Sequence, residues 1–177
     1  EIRKHASLEY IDADHIRELE EETGHDIIAI NSALEEKVSA EAGTHINKAK
    51  TSADTTQPAR ALQLRKSLQI IADSVENLRD ITMERAVEWI DLPHMDPSHL
   101  YDALPTVLGR PLAHYVEMLQ SGLNVLSFVF DNSIMGKWGD ATGNHHSATA
   151  LGVDGMCLQK RFCEKLGIGH MDASAQV

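Results

Sequence analysis

The stretch ALQLRKSLQIIADSVENLRDITMERAVEW, residues 61–89, decides the fold. Leu64, Leu68, Ile71, Val75 and Leu78 recur four and three apart with charged residues between them. That is a heptad seam on a helix, not the period of two that a strand would show. Pro58 suits the first turn of this helix, with Thr55 or Thr56 as its cap. The pattern then predicts roughly 30 residues of helix, about 45 Å. A second seam follows at Leu108, Leu112, Tyr115, Leu119 and Leu126, where Pro111 should kink the helix or delay its start. Helices this long exceed the needs of a compact small domain and indicate a long bundle assembled between subunits.

Shorter helical patterns flank the two seams. Asp14–Glu22 carries Ile16 and Leu19 on one face, and Asp26–Ala42 carries Ile27, Ile30, Leu34 and Val38 before Gly43 ends it. Val153–Leu166 is a last amphipathic helix closed by Gly167. Between these lie a polar loop at Thr44–Gln57, a breaker-rich segment at Asp91–Pro105, and a loop with glycine and histidine at Met135–Leu151. No alternating strand pattern and no internal repeat is visible, so the predicted class is all-α.

The bulk numbers remove several function classes. A net charge of −11 without any long basic tract argues against binding nucleic acid by phosphate neutralisation. An acidic protein still binds a small anion where donors converge in one cleft. The longest apolar run, Val125–Phe130, is cut off by Asp131 and Asn132, so no membrane span is expected. No basic, apolar leader opens the sequence as it stands, and Cys157 and Cys163, six apart, read as reduced thiols on a helix; both point to the cytoplasm. The ten histidines do not form paired ligands on one helix face, and no metal site is expected.

Three polar loops carry the candidate chemistry. Gly43–Asp54 sets hydroxyls and lysines just before a helix N-terminus, an arrangement that suits a carboxylate or phosphate, although a helix cap with a solvated loop uses the same residues. Asp96–Gly109 holds His99, which could act as a general acid near neutrality or serve as an ordinary surface histidine. In Gly136–His146 the glycines permit close backbone approach to a ligand, as they would in any interhelical connection.

Taken in order, these loops resemble the fumarase/aspartase superfamily, and within it the adenylosuccinate lyases. Thr51-Ser-Ala-Asp54 is similar to the T-S-S-D block, with His45-Ile-Asn47 placed as H-V-N is in fumarases. Ala61-Leu-Gln-Leu-Arg65 looks like A-L-Q-L-R, and Thr23-Gly-His-Asp26 like T-x-H-D. Ser98-His-Leu-Tyr-Asp-Ala-Leu-Pro-Thr-Val-Leu-Gly109 is similar to the second block, T-H-x-Q-x-A-x-P-x-T-x-G. Gly136–Asn144, Cys163–Gly167 and Ala173–Val177 resemble G-K-x-x-G-A-V-G-N, C-E-K-L-G and A-S-T-Q-V.

The resemblance implies an all-α fold in which residues 1–57 are the remainder of a small N-terminal helical domain and residues 58–177 the first half of a central helical bundle. It implies a homotetramer whose sites draw on three subunits, and a carbon–nitrogen lyase that eliminates fumarate from a small anionic succinylated amine or nucleotide. His99 would be the general acid. Ser98, Thr51 and Ser52 would hydrogen-bond carboxylate or phosphate, while His25, Asp26, His45, Asp54 and Asn144 would contact substrate. Gln176 would reach the nucleotide or succinyl part. Such an elimination needs positioned donors, a base and an acid, and no metal or organic cofactor. Other expectations compatible with the blocks are an argininosuccinate lyase, an aspartase, a carboxymuconate cycloisomerase, or a non-catalytic structural homologue. Tyr101, Asp96-Pro97, Ala53, Ala175 and Asp140 depart from the usual residues. The S-S-x-M-P-x-K-x-N block, with the serine taken as general base, has no counterpart, so a fragment, or a chain completed by a second polypeptide, is expected.

Overall fold

The computed structural model describes residues 1–175. Its elements run α1 (Ile2–His5), α2 (Ala13–Thr23), α3 (Asp26–Glu35), α4 (Ala40–Gly43), α5 (Ala53–Glu88), β1 (Pro93–Ser98), β2 (Tyr101–Val107) and α6 (Gly109–Asn132). They continue with β3 (Met135–Gly136), α7 (His146–Ala150), α8 (Gly155–Leu166) and β4 (Gly169–His170). Helix dominates, and among the described residues no helix is long and apolar enough to cross a membrane. Backbone proximity groups Glu1–Arg60 and the chain from Met135 onward into one unit and Ala61–Ile134 into another. This is a different division from a domain boundary at 57/58, because the segment after Met135 belongs with the first residues.

In the first unit, α2 and α3 form a helical pair; Ile27, Ala29 and Ala33 of α3 are buried, as is Ile11 just before α2. The Asp12 side chain accepts from the Asp14 N–H at the start of α2, and Gly24, at φ 67°, closes it in the left-handed conformation. The single helix expected over Asp26–Ala42 is broken. α3 stops at Glu35, and Ser39, accepting from the Ala42 N–H, caps a separate short turn, α4. Ser39 Oγ and N–H in turn donate to the two carboxylate oxygens of Glu1 at 2.9 and 2.8 Å. Hydroxyl capping thus wins over continued apolar periodicity.

α5 is 36 residues long, about 54 Å. It starts at Ala53 rather than Pro58, so Thr55 and Thr56 lie inside it instead of capping it. Pro58 is buried within its second turn, where it leaves the Asp54 carbonyl without a helical donor.

In the second unit, α5 and α6 lie antiparallel. The Arg65 guanidinium sits 5.2 Å from the Phe130 ring centroid, and Arg79 Nη1 donates to Gln120 Oε1 at 2.7 Å. Leu68 and Ala72 face Leu123, Leu126 and Phe130 across a cleft of about 190 Å³. The predicted α5 seam therefore splits: Leu68 and Val75 are half-buried, while Leu64, Ile71 and Leu78 are exposed. On α6, Tyr115, Met118, Val125 and Phe128 are also exposed. Two helices can cover only one stripe of each other, and among the described residues of these two helices beyond Arg60 the buried side chains are Ala61, Ala86 and Leu123. Pro111 occupies the first turn of α6, where its missing N–H costs nothing, so it produces no break in the helix.

The breaker-rich segment is an antiparallel hairpin, which corrects the strand-free expectation. Pro93, Pro97 and Pro105 lie within its strands, and most of its residues on both faces are exposed, so no alternation of polarity marks it. A register shift falls between Asp96 and Pro97, and Ser98 pairs with Tyr101. The two turn residues, His99 and Leu100, both have positive φ, 53° and 70°. Tight hairpin turns demand this backbone, usually from Asn or Gly, and other residues adopt it under strain. The loop expected after Met135 likewise contains β3, paired in parallel with β4, and the single turn α7.

His15 on α2 joins Glu36, just past α3, through Nε2 at 2.8 Å, with Glu18 3.5 Å from Nδ1. Hydrogen bonding to Glu36, then to Glu18, raises the His15 pKa above its ordinary value. The folded protein thus binds this proton more tightly than the unfolded chain. The stabilisation is complete below about pH 6.5 and is lost as pH rises through the folded value. An NMR titration should give His15 a midpoint above that of free imidazole side chains, and His15→Gln should remove this part of the pH dependence of unfolding.

Candidate active site

Asp54, in the first turn of α5, organises the candidate site. Its side chain is fully buried. Oδ1 faces Lys137 Nζ at 3.0 Å and accepts from the Gly139 N–H at 2.9 Å. Oδ2 accepts from the N–H groups of Thr51 at 3.0 Å and Asp140 at 2.9 Å. The bond back to Thr51 is the one an acid makes in a capping box, and it draws the chain into the helix at Ala53, ahead of the start that the proline signal suggests. Four donors occupy the carboxylate, so Asp54 contributes position rather than a free oxygen for substrate, which differs from the contact expected of it.

The Gly136–Asn144 loop wraps around this carboxylate. Lys137 is buried and also donates from Nζ to the Asp140 carbonyl at 3.3 Å. Asp140, at φ 61°, is buried as well; Oδ1 accepts from the Thr142 N–H at 3.2 Å and Oδ2 from the Ser147 N–H at 3.0 Å. Burial pushes its pKa up, but the N–H groups of Ser147 and Thr142, together with the charge and N–H of His146, outweigh it and hold the carboxyl below its ordinary value. Gly143, at φ 80°, admits no side chain: a Cβ there would sit 2.2 Å from the Ser174 carbonyl oxygen. Gln57, Gly136, Lys137, Met171 and Ser174 line a cavity of about 470 Å³ beside this loop. Ser174 Oγ is buried there without a hydrogen-bond partner among the described residues.

Thr51 and Ser52 lie half-buried where α5 begins, next to Lys50, whose Nζ donates to Thr55 Oγ1 at 2.9 Å. Burial lowers the Lys50 pKa, and the Asp54 charge opposes that shift. Hydroxyls, a lysine and a helix N-terminus in one place attract an anion. His45 is exposed just beyond α4. His25 and Asp26 cap α3: His25 Nδ1 accepts from the Ile27 N–H at 3.2 Å, and Asp26 Oδ1 accepts from the same group at 2.7 Å. Asn144 is exposed, with Nδ2 donating to Thr142 Oγ1 at 3.2 Å. Ser98 and His99 belong to the second unit, exposed at the end of the hairpin. Gln176 lies outside the described residues.

Sequence reading passed over Lys137, Trp138 and Gln159. Gln159 is fully buried on α8; Oε1 accepts from the Trp138 N–H at 2.9 Å and Nε2 donates to the Met171 carbonyl at 2.8 Å. A lysine flanked by loop glycines, with an aspartate block upstream, is the pattern that could have revealed the ion pair. Nothing in the spacing marks Gln159. Among the described residues no group of three His, Cys, Asp or Glu side chains could hold a metal ion.

Comparison with known proteins places this arrangement. A family model described as Lyase matches residues 3–176, and the chain belongs to that lyase family. It is similar to the adenylosuccinate lyase of Methanocaldococcus jannaschii, 30% identical over 177 residues, which are all of this chain and 38% of that enzyme. The adenylosuccinate lyase of Pyrococcus abyssi is 30% identical over 167 residues, 94% of this chain and 36% of that enzyme. Among solved structures, 3-carboxy-cis,cis-muconate lactonizing enzyme from Pseudomonas putida superposes with a TM-score of 0.84 at 22% identity, covering 97% of this chain and 39% of its own. The fumarate lyase from Mesorhizobium sp. BNC1 gives 0.82 at 21% identity, with 98% and 44% covered. These structures share the fold. The chain spans well under half the length of the curated relatives it matches.

Replacing Asp54 by Asn should destabilise the protein by about 3–5 kcal/mol, because it removes one partner of a buried ion pair. Urea denaturation of the variant against the parent, read at equal protein concentration, measures this directly.

Proposed function

We propose that these residues belong to a carbon–nitrogen lyase of the adenylosuccinate lyase kind, which releases fumarate from a succinylated amine. The observation that carries this reading is the anion-attracting loop Lys50–Ser52, fixed at the start of a 36-residue helix by the buried Asp54 carboxylate. The similarity to adenylosuccinate lyases along the whole chain supports it.

In this reading Thr51, Ser52 and Ser98 hydrogen-bond the substrate's carboxylate or phosphate, and His25, Asp26, His45 and Asn144 contribute further contacts. Gln176 reaches the nucleotide or succinyl part. His99 protonates the leaving nitrogen as the C–N bond breaks; a base withdraws the proton beside the carboxylate, and fixed donors hold the charge that develops. The strained turn that presents His99 is consistent with a backbone held for function. The exposed apolar faces of α5 and α6 supply the contacts of a homotetramer, and the enzyme works in the cytoplasm.

In the polypeptide that carries these residues, His99→Ala should lower kcat by about 10²–10⁴-fold while substrate still binds, whereas His94→Ala should change it little. Fumarate release from adenylosuccinate, with argininosuccinate offered in parallel, reads the result. Equal activity of the two variants would overturn the assignment of His99. The 177-residue chain alone should be inactive, since the serine block has no counterpart in it. In sedimentation it should associate; a monodisperse monomer would contradict the proposed role of the helix faces.

A further inference from the structure

The loop that carries Thr51 and Ser52 is held at both ends. At its far end, Asp54 is gripped by Lys137 and the Gly139 and Asp140 N–H groups. At its near end, the Trp138 indole Nε1–H donates to the Ala49 carbonyl at 3.2 Å. The backbone there needs holding. Ala49 has φ 54° and Asn47 φ 62°, and for alanine the left-handed conformation is strained because its Cβ crowds the following carbonyl oxygen.

The indole is itself anchored. Its ring meets Phe162 of α8 edge-on, centroids 4.8 Å apart, and its backbone N–H donates to the buried Gln159 side chain. We infer that Trp138 is a positioning residue, whose indole N–H holds Ala49 in its strained conformation and thereby sets Thr51 and Ser52 for the substrate anion. This rests on the proposed function for its substrate. The geometry is independent of it.

Trp138→Phe keeps a ring against Phe162 and removes the one hydrogen bond. A contact made equally in ground and transition states affects binding alone. In the full polypeptide, KM for adenylosuccinate should rise roughly fivefold with kcat unchanged within about twofold. Amide hydrogen exchange over residues 46–52 should speed up roughly fivefold, while α8 keeps its protection. An unchanged KM, or a fall in kcat at constant KM, overturns the proposal. In the unsubstituted protein the Trp138 indole N–H should exchange slowly, and fast exchange also overturns it, whatever the stability of the variant. If that protein releases no fumarate at all, the proposed function fails, and the exchange measurements still decide whether Trp138 holds the loop.

Discussion

A carboxylate taken out of water has to be given partners, and Asp54 receives four. One distant loop supplies three of them, the Lys137 ammonium and the N–H groups of Gly139 and Asp140, the last two lying 85 and 86 residues along the chain from Asp54. Removing a charge from solvent costs several kcal/mol, which is recovered only where geometry is good and every lone pair is used. The energetic demand of one side chain thus fixes the start of α5, the Thr51 loop and the glycine loop together. The Thr51–Ser52 hydroxyls and the glycine loop are placed with reference to that carboxylate.

Strain follows the same map. Among the described residues six non-glycine positions have positive φ: Asn47, Ala49, His99, Leu100, Asp140 and His145. All lie in the three polar loops that sequence composition singles out, and none in a helix. Each carries a cost that neighbouring contacts have to sustain, and such residues gather at binding and catalytic positions. Around Asp140 and Ala49 the sustaining contacts are visible: N–H groups on the Asp140 carboxylate and an indole on the Ala49 carbonyl.

Helices and polar loops were legible in the sequence because their signals are local: heptad spacing for α5 and α6, the glycine stop after α8, hydroxyl-rich connections. The start of α5 was misread because Pro58 looks like a first-turn proline, while the actual initiating group, Asp54, acts through partners far along the chain. The hairpin escaped because its prolines and two exposed faces erase the alternation by which strands are found. The seam at Leu64–Leu78 was half right: periodicity shows that apolar residues recur, but not which of two adjacent stripes faces the neighbouring helix. The loop around Lys137 was singled out by its glycines, but the ion pair itself and the role of Gln159 were not, for a deeper reason. A buried polar residue is recognisable only together with its partner, and no spacing rule links Asp54 to Lys137 or Gln159 to Met171.

The sequence distance across the Asp54 clamp also bears on how the protein comes to be folded. Closing a loop of this size is set by chain entropy, which grows only logarithmically, by about 0.6 kcal/mol for each doubling of length. Changes in the length of α5, the hairpin or α6 therefore tax the clamp's equilibrium little. Kinetically the position is reversed. Contacts between residues 85 positions apart form after local helices and hairpins, which need no such search. During synthesis Lys137 leaves the ribosome long after Thr51 and Asp54. Until it arrives, the acid that anchors the site stands without its counter-ion, and the strained loop beside it has nothing to hold its shape.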